Sequence, residues 1–309
     1  MTTCLILGGN GFIGSHLAEG LVNKSYEVKV FDCFPNGPSN LKKIINKIEI
    51  IKGDFLNDRD INNALRNVDV VYHYISTTIP MTAKINPIYD VETNIIGSVK
   101  ILQQAVNNNV NKIVFPSSGG TIYGEPKNLP VKENDPVNPI DPYGISKLAI
   151  EKYLYYFNHT YGLDYRILRY SNPYGERQNP YGKQGVIPIF LNKIKQGQNP
   201  TIIGDGSMIR DYIYILDAID ATIAVSTSNS NDKIFNIGSG EGKSLNQIID
   251  SISKVIGKEI DVNYEQGNVN YVQKIVLDIS RIQEQIDWKP TTNLENGIFR
   301  TWQWINDNY

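Results

Sequence analysis

The chain carries a tyrosine and a lysine at a spacing that suits acid–base chemistry. Tyr143 and Lys147 are four residues apart at the head of an apolar-periodic run, so on a helix both side chains lie on one face, one turn apart. A free tyrosine has a pKa of about 10, and a nearby ammonium stabilises the phenolate. Because aromatic and lysine side chains on helices usually only pack and solvate, this pair indicates catalysis only where a nucleotide site accompanies it.

A glycine-rich turn near the start of the chain predicts such a site. Residues 3–7 are apolar and β-prone, as in a buried parallel strand. The turn that follows contains Gly8, Gly11, Phe12, Ile13 and Gly14, and helical periodicity continues from it. Glycines at this spacing permit a tight turn and a close approach to a pyrophosphate, while the helix N-terminus supplies amide donors. We therefore favour a dinucleotide site over a plain turn.

An acidic residue ends the second predicted strand, at 27–31. Asp32 lies where a carboxylate accepts hydrogen bonds from the adenosine ribose hydroxyls. A carboxylate there repels a 2′-phosphate, and no arginine follows immediately. NAD(H) is therefore favoured as the cofactor, with NADP(H) as the alternative. The competing interpretation is a turn aspartate ahead of Pro35.

Strands and helices alternate along the chain. Further strands are predicted at 48–52, 68–74, 112–115, 165–168 and 201–203 and near Phe235, and helices near Asn94–Val106, after Tyr143, at 186–196, after the N-cap Ser244 and around Ile298. The alternation predicts an α/β fold, a Rossmann-like doubly wound parallel sheet. Ligands of such sheets bind at the carboxyl ends of the strands, which is where these motifs fall.

Composition narrows the classes of function. The chain has 309 residues, 41% of them hydrophobic, and a net charge of −2, which argues against nucleic acid or an anionic membrane as the main partner. With only Cys4 and Cys33, and with no signal-peptide pattern or membrane-spanning apolar run, we expect a cytoplasmic protein. His16, His73 and His159 lack metal-ligand spacing, so no metal site is predicted.

Taken together, these motifs resemble the extended short-chain dehydrogenase/reductase family, in its branch of nucleotide-sugar epimerases, dehydratases and reductases. The resemblance extends from Gly8 to Pro290 and includes the sequence Arg210-Asp211-Tyr212. It implies a Rossmann domain of residues 1–169, with a returning segment at about 211–237. It also implies a small α/β C-terminal substrate lobe of residues 170–210 and 238–309. A homodimer is expected, in which the helices around 94–106 and 143–157 pair.

The resemblance also implies roles for individual residues. Cofactor contacts are expected from Gly8, Gly11, Phe12, Ile13, Gly14, Asp32, Asp54, Phe55, Tyr74, Ile75, Ser76, Asn94, Ser117, Tyr143 and Lys147. Tyr143 is the expected acid–base residue, and Lys147 binds the nicotinamide ribose. Substrate contacts are expected from Ser118, Tyr143, Asn172, Val186 and Arg210, with Asn172 and Arg210 on the diphosphate.

One departure from the epimerase pattern lies beside the expected catalytic tyrosine. The active-site Ser or Thr of the family falls on Gly119, so either Ser118 or Thr121 substitutes as a catalytic hydroxyl, or Tyr143 works without it. Dehydratases of this branch carry an Asp-Glu pair where this chain has Gly120 and Thr121. Elimination of water is therefore not expected.

A second departure lies near the C-terminus. The family's Arg and Asp fall on Asn268 and Tyr271, and a tyrosine cannot accept hydrogen bonds from both ribose hydroxyls. A deoxyribose has no 2′-hydroxyl, so this change favours a thymidine nucleotide.

These departures favour an NAD(H)-dependent reductase of a 4-keto sugar nucleotide, such as dTDP-4-keto-6-deoxyglucose. Tyr143 would donate the proton while hydride reaches the sugar C4. The alternative is a UDP-hexose 4-epimerase, acting on UDP-glucose or UDP-N-acetylglucosamine with tightly bound NAD. A non-catalytic NAD-binding regulator is disfavoured by the intact Tyr143 and Lys147.

Overall fold

The structure is a computed structural model that describes residues 1–267 and 272–309. Its strands are β1 (Thr3–Leu7), β2 (Glu27–Asp32), β3 (Glu49–Lys52), β4 (Val70–His73), β5 (Lys112–Ser118), β6 (Asp164–Tyr170), β7 (Asn172–Tyr174), β8 (Thr201–Ile203), β9 (Ile209–Tyr214), β10 (Ile234–Ile237), β11 (Gly242–Ser244) and β12 (Asn263–Glu265). Its helices are α1 (Phe12–Asn23), α2 (Asp58–Ala64), α3 (Pro80–Ile85), α4 (Pro87–Asp90), α5 (Gly97–Asn107), α6 (Pro142–Tyr161), α7 (Val186–Lys195), α8 (Ile215–Thr227), α9 (Leu245–Ile256), α10 (Ser280–Ile286) and α11 (Leu294–Asn308).

A seven-stranded sheet of order β10-β6-β5-β4-β1-β2-β3 forms the centre of the molecule, and all its pairings are parallel. Alternate residues of β1 face opposite sides, because side chains alternate along a strand. Cys4 and Ile6 join a core with α1 and α8, whereas Leu5 and Leu7 join a core with α2, α5 and α6. Helices therefore cover both faces, and the predicted Rossmann-like doubly wound fold is confirmed.

The smaller sheets follow the sixth strand. Strands β11, β9 and β7 form one sheet, and β12 pairs with β8 in another. Helices α7, α9 and α11 bury apolar side chains in the same core as α1 and α8. Strand β10 returns to the large sheet beside β6. Arg210 lies in β9, close to the carboxyl end of the large sheet.

Several elements differ from the sequence-based prediction. The fifth strand extends to Ser118, because its last residues continue to pair with β6. The predicted helix at Asn94 begins in a π-helical turn, Val91–Ile96. Helix α8 and the short helices α2, α3 and α4 are not anticipated by the motifs. No helix in the described part of the chain combines the length and apolarity needed to cross a membrane.

Candidate functional site

The glycine turn between β1 and α1 forms an open helix N-terminus. Gly8 has φ +82°, in the left-handed region that favours glycine. A Cβ on Gly14 would collide with the Gly8 carbonyl oxygen and lie 2.8 Å from the Gly9 Cα. Gly11 caps α1 without a side chain, and no acidic residue occupies the first turn. The free amides and positive dipole fit a pyrophosphate, as the sequence predicts.

The residues expected at the adenosine end follow the neighbouring strands β2 and β3. Asp32 accepts hydrogen bonds from the Asn10 amide at 3.0 Å and the Cys33 amide at 2.8 Å, which fixes the carboxylate beside the glycine turn. Asp54 is exposed after β3, and the ring of Phe55 packs close to Gly97. Both strands end on the same edge of the sheet, so these side chains flank one binding surface.

A cavity of about 350 Å³, here called the Tyr143 cavity, opens at the carboxyl ends of β1, β4, β5 and β6. The predicted residues that line it are Phe12, Ile13, Tyr74, Ser76, Ser117, Ser118, Thr121, Tyr143, Lys147, Asn172 and Arg210. The strand ends thus bring together residues that are far apart in sequence. Ile75 instead packs in the core between the sheet and α5, outside this lining.

Tyr143 and Lys147 lie on the first turns of α6, which begins behind the N-cap Asp141. The Asp141 carboxylate accepts the Gly144 amide at 2.8 Å, which fixes the start of the helix. The Lys147 Nζ donates to the Pro116 carbonyl at 3.0 Å and lies 5.5 Å from the centre of the Tyr143 ring. The helix therefore holds the phenol and the ammonium side by side, at the spacing that the sequence predicts.

Burial sets the charge state of this pair. The pKa of Tyr143 is raised by burial, then by the carboxylates of Asp141 and Asp90, while a hydrogen bond to Ser76 acts in the opposite direction. Burial lowers the pKa of Lys147 to about 8, against the opposing effects of Asp90 and Glu151. Tyr143 is therefore a neutral phenol at neutral pH. Lys147 gains or loses its proton only slightly above neutral pH.

Packing excludes a side chain at Gly119. A Cβ there would lie 2.7 Å from Leu277 Cδ1 and 3.0 Å from the Arg169 carbonyl oxygen. Ser118 and Thr121, the two residues expected to replace the missing hydroxyl, are both among the lining residues of the cavity. The Thr121 Oγ1 is buried and has no hydrogen-bond partner in the described part of the chain.

Two further predicted residues, Ser117 and Asn94, form hydrogen bonds within the protein. Ser117 donates to Glu151 at 2.5 Å, so its hydroxyl is already engaged. Asn94 does not line the cavity; its amide accepts from the Thr77 amide at 3.1 Å and donates to Thr78 at 2.9 Å. Asn94 therefore holds the loop after β4, and its expected contact with the cofactor stays a prediction.

A second cavity of about 670 Å³, here called the Phe190 cavity, continues from the first into the smaller lobe. Both cavities are lined by Ser171, Asn172, Pro173, Gln178, Gln184 and Arg210. Farther from Tyr143, the lining is mainly apolar and includes Val186, Phe190, Ile202, Met208 and Leu245. The two cavities thus form one continuous space, polar at the middle and apolar at the far end, which suits an extended ligand with a polar centre.

Arg210 stands where the two cavities meet. Its guanidinium donates to the Val272 carbonyl at 2.6 Å and the Ile209 carbonyl at 2.8 Å. No carboxylate of the described residues forms an ion pair with it, so its positive charge is available to an anionic ligand. Asn172 is fixed beside it by donation to the Asp211 carbonyl at 2.9 Å.

Sequence reasoning missed Ser171, Gln178 and Gln184, because they lie in or beside a loop without a motif. The Ser171 hydroxyl and the Gln178 carbonyl oxygen are buried and have no partner among the described residues. Asn268 and Tyr271, on which the thymidine prediction rests, lie outside the described residues, so that prediction stays open.

The chain is similar to known proteins over nearly its whole length. The profile of the NAD-dependent epimerase/dehydratase family matches residues 4–238. A putative UDP-glucose 4-epimerase of Methanocaldococcus jannaschii is 40% identical over 306 residues, 98% of both chains. A dTDP-4-dehydro-6-deoxyglucose reductase of Escherichia coli is 35% identical, over 95% of this chain and 94% of its own length.

Among solved structures, a UDP-glucose 4-epimerase of Thermotoga maritima with UDP-glucose superposes with a TM-score of 0.93. It is 33% identical to this chain and covers 99% of both chains. The similarity therefore extends over both the large sheet and the smaller lobe.

Proposed function

Since the chain belongs to the NAD-dependent epimerase/dehydratase family, we propose that it is a 4-epimerase of a UDP-activated hexose that retains its NAD. The observation that carries the proposal is the position of Arg210, a cation without an ion-pair partner among the described residues, between the Tyr143 and Phe190 cavities. A diphosphate at Arg210 places the sugar beside Tyr143 and the nucleoside in the smaller lobe. The similarity to UDP-glucose 4-epimerases supports UDP-hexose as the substrate class.

In this proposal the chain's own residues manage protons and orientation. Bound NAD supplies reversible hydride acceptance from the sugar C4. Tyr143 is a neutral phenol in the free protein, so only its ionised form, which the Lys147 ammonium stabilises, takes the proton of the C4 hydroxyl and returns it after the sugar has turned its other face. Arg210 and Asn172 anchor the diphosphate while the sugar turns.

The loss of a hydroxyl at Gly119 does not favour a reductase over an epimerase in this structure. The space is filled by Leu277, and Ser118 and Thr121 are lining residues of the same cavity. We infer that Ser118 or Thr121 contacts the sugar in place of the missing hydroxyl; the Thr121 Oγ1 has no protein partner in the described residues but is buried, so it would rotate towards the cavity to do so.

Cofactor turnover distinguishes epimerase from reductase. Purified protein should convert UDP-galactose to UDP-glucose without added cofactor and with no net change in NADH absorbance. Tyr143→Phe should lower kcat by roughly 10²–10⁴-fold, the usual contribution of a general acid–base group. Tyr153→Phe, on the same helix but 40% exposed, is the matched control and should leave kcat unchanged. Absence of interconversion by the parent protein would refute the proposal.

A second candidate is reduction of a 4-keto sugar nucleotide. The 35% identity to the E. coli dTDP-4-dehydro-6-deoxyglucose reductase favours it, and the same Tyr143 would serve as proton donor. Stoichiometric NADH consumption with dTDP-4-keto-6-deoxyglucose, together with no interconversion of UDP-hexoses, would establish this candidate instead.

A further inference from the structure

A carboxylate outside the predicted site lies buried behind the catalytic helix. Asp90, the last residue of α4, is 0% exposed. It accepts hydrogen bonds from the hydroxyls of Thr78 and Ser146 and from the Asn94 amide, the last at 2.9 Å. Three donors from three different segments therefore converge on one side chain.

Two of those segments, the loop after β4 and helix α6, are walls of the Tyr143 cavity. Thr78 follows Ser76 in the loop after β4, and Ser76 lines the cavity and contacts Tyr143. Ser146 lies on α6 between Tyr143 and Lys147. Asp90 thus ties the loop beside the cofactor site to the helix that carries the acid–base pair.

The charge of Asp90 is not neutralised by an ion pair within the described residues, unlike that of Glu151. Glu151 also lies in the interior near Lys147, but Arg169 binds both of its oxygens, at 3.1 and 2.7 Å. Hydroxyl and amide donors stabilise the Asp90 carboxylate without supplying a positive charge. A buried carboxylate without a cation is costly and acts over several ångströms on its surroundings.

We propose, on the premise that Tyr143 is the acid–base residue of the proposed epimerase, that Asp90 is a positioning residue that sets the charge state of the Tyr143–Lys147 pair. Its negative charge opposes the phenolate and favours the ammonium. The enzyme without substrate therefore holds a protonated phenol beside a protonated lysine, and the hydrogen bonds of Asp90 fix both groups in place.

Other ionisable groups around the pair do not replace this carboxylate. They are Asp141 at the N-cap of α6, Glu151 on α6 with its partner Arg169, His73 on β4, and Lys84 on α3, which acts on Asp141. Burial lowers the pKa of His73 to about 3, so it is neutral. Asp141 acts on the phenol but is absent from the causes that shift the pKa of Lys147. Asp90 acts on both members of the pair.

The test is the nearly isosteric change Asp90→Asn. Removing the negative charge lowers the pKa of Tyr143, because the phenolate no longer has a carboxylate of like charge nearby. It also lowers the pKa of Lys147, because the ammonium loses a neighbour of opposite charge. Both limbs of the kcat–pH profile should therefore move to lower pH, by roughly one unit or more, with KM for UDP-galactose unchanged. An unmoved profile would overturn the proposal.

A direct measurement does not depend on turnover. In protein with isotope-labelled lysine, the NMR signal of Lys147 is the one lost in Lys147→Met, and its titration without substrate, at a pKa of about 8, should move to lower pH in Asp90→Asn because an opposite charge is lost. If the UDP-hexose assay fails but this shift is found, the proposed function fails while the role of Asp90 stands. If the signal titrates as in the parent, the role of Asp90 is refuted.

Matched variants separate charge from packing. Ser146→Ala and Thr78→Val each remove one hydrogen bond and retain the carboxylate, so they should lower activity without moving the pH profile. An equal shift in Ser146→Ala would show that Asp90 is only a structural support. If Asp90→Asn does not fold, Asp90→Ser removes the same charge and leaves space for a water, and the same shift is expected.

Discussion

Tyr143 shares its buried surroundings with two carboxylates, Asp141 and Asp90, and with the Lys147 ammonium. The carboxylates and burial keep the phenol protonated, while the ammonium favours its ionisation. Since the pKa of Lys147 is about 8, a change in one neighbouring charge alters the charge of the pair near neutral pH. The charge state of this tyrosine therefore depends on its charged neighbours as well as on its burial.

A substitution at Gly119 tests whether Leu277 occupies the space that the expected Ser or Thr side chain would need. Gly119→Ser should lower the free energy of unfolding by about 1–3 kcal/mol, because its Cβ would overlap Leu277 Cδ1. Gly120→Ser, whose Cβ would have Ser118 Oγ as its nearest neighbour at 4.0 Å, is the matched control and should cost less. Denaturant unfolding measures both.

The double variant Gly119→Ser/Leu277→Ala identifies the contact responsible. Leu277→Ala removes the overlapping methyl groups, so the two changes should cost less together than the sum of their separate costs. Strict additivity in the unfolding measurements would contradict this explanation.

At the scale of secondary structure, short segments hold the loop that borders the site. The loop after β4 is held by Asn94 through the Thr77 amide and by Asp90 through Thr78. Asp90 ends α4, and Asn94 lies in the π-helical turn Val91–Ile96, which leads directly into α5. Irregular turns of this kind often occur at functional sites because they redirect particular side chains.

The turn from β1 to α1 tolerates no Cβ at Gly14. Gly14→Ala should displace the backbone at Gly8 and Gly9, because the contacts involve main-chain atoms. We expect the purified variant to retain little NAD and to have a lower Tm. Cofactor content and thermal unfolding are the measurements.

Gly20→Ala, on the same helix, is the matched control for that change. Its Cβ would meet only the ends of the Ile219 and Ile223 side chains, at 3.0 Å, and these can adjust. It should retain NAD. Equal NAD contents in Gly14→Ala and the parent would contradict a role of the glycine turn in binding the cofactor.

At the scale of the whole molecule, the active-site groups lie where the large sheet meets the smaller lobe. We propose that residues 1–169 with 211–237 act as the NAD-binding domain and residues 170–210 with 238–309 as the substrate lobe. The strand pairing supports this division in part: β10 returns to the large sheet, whereas β7 and β11 pair with β9 in a separate one, so the boundary between 210 and 211 falls inside β9. The joined cavities cross the boundary between them, so the substrate would contact both.

An apolar surface on α4 and α6 supports the expected homodimer. Ile88 is 70% exposed and Tyr155 is 62% exposed, and Tyr153, Tyr156 and Tyr161 also reach the surface. Exposed apolar side chains in this concentration mark an interaction surface. We infer that a second copy of the chain covers it, with the α6 helices pairing across a two-fold axis.

Charge on this surface should separate the dimer. The parent should sediment as a dimer, whereas Tyr155→Glu should shift it to a monomer, because two like charges would face each other in the interface. Phe299→Glu, a 47% exposed position on α11, is the matched control and should leave the dimer intact. A parent protein that sediments as a monomer would refute the inference.

Local periodicity predicted most of the framework. The glycine turn, the parallel strands and the Tyr143–Lys147 pair each depend on neighbouring residues, because strand alternation and helical spacing are local properties. Helix α8 escaped prediction because it directly follows β9 without a glycine or proline to mark its start.

Tertiary contacts decided what surrounds Tyr143. Asp90 and Ser146 are 56 positions apart in the chain, and Leu277 reaches Gly119 from the far end of the sequence. No repeat or spacing in the sequence predicts these contacts. They form only when the strands pair in the sheet and bring distant loops to the same edge. The sequence alone thus determined the fold and the spacing of Tyr143 and Lys147, because both depend on local patterns, whereas the packed fold determined which hydroxyls and charges surround them.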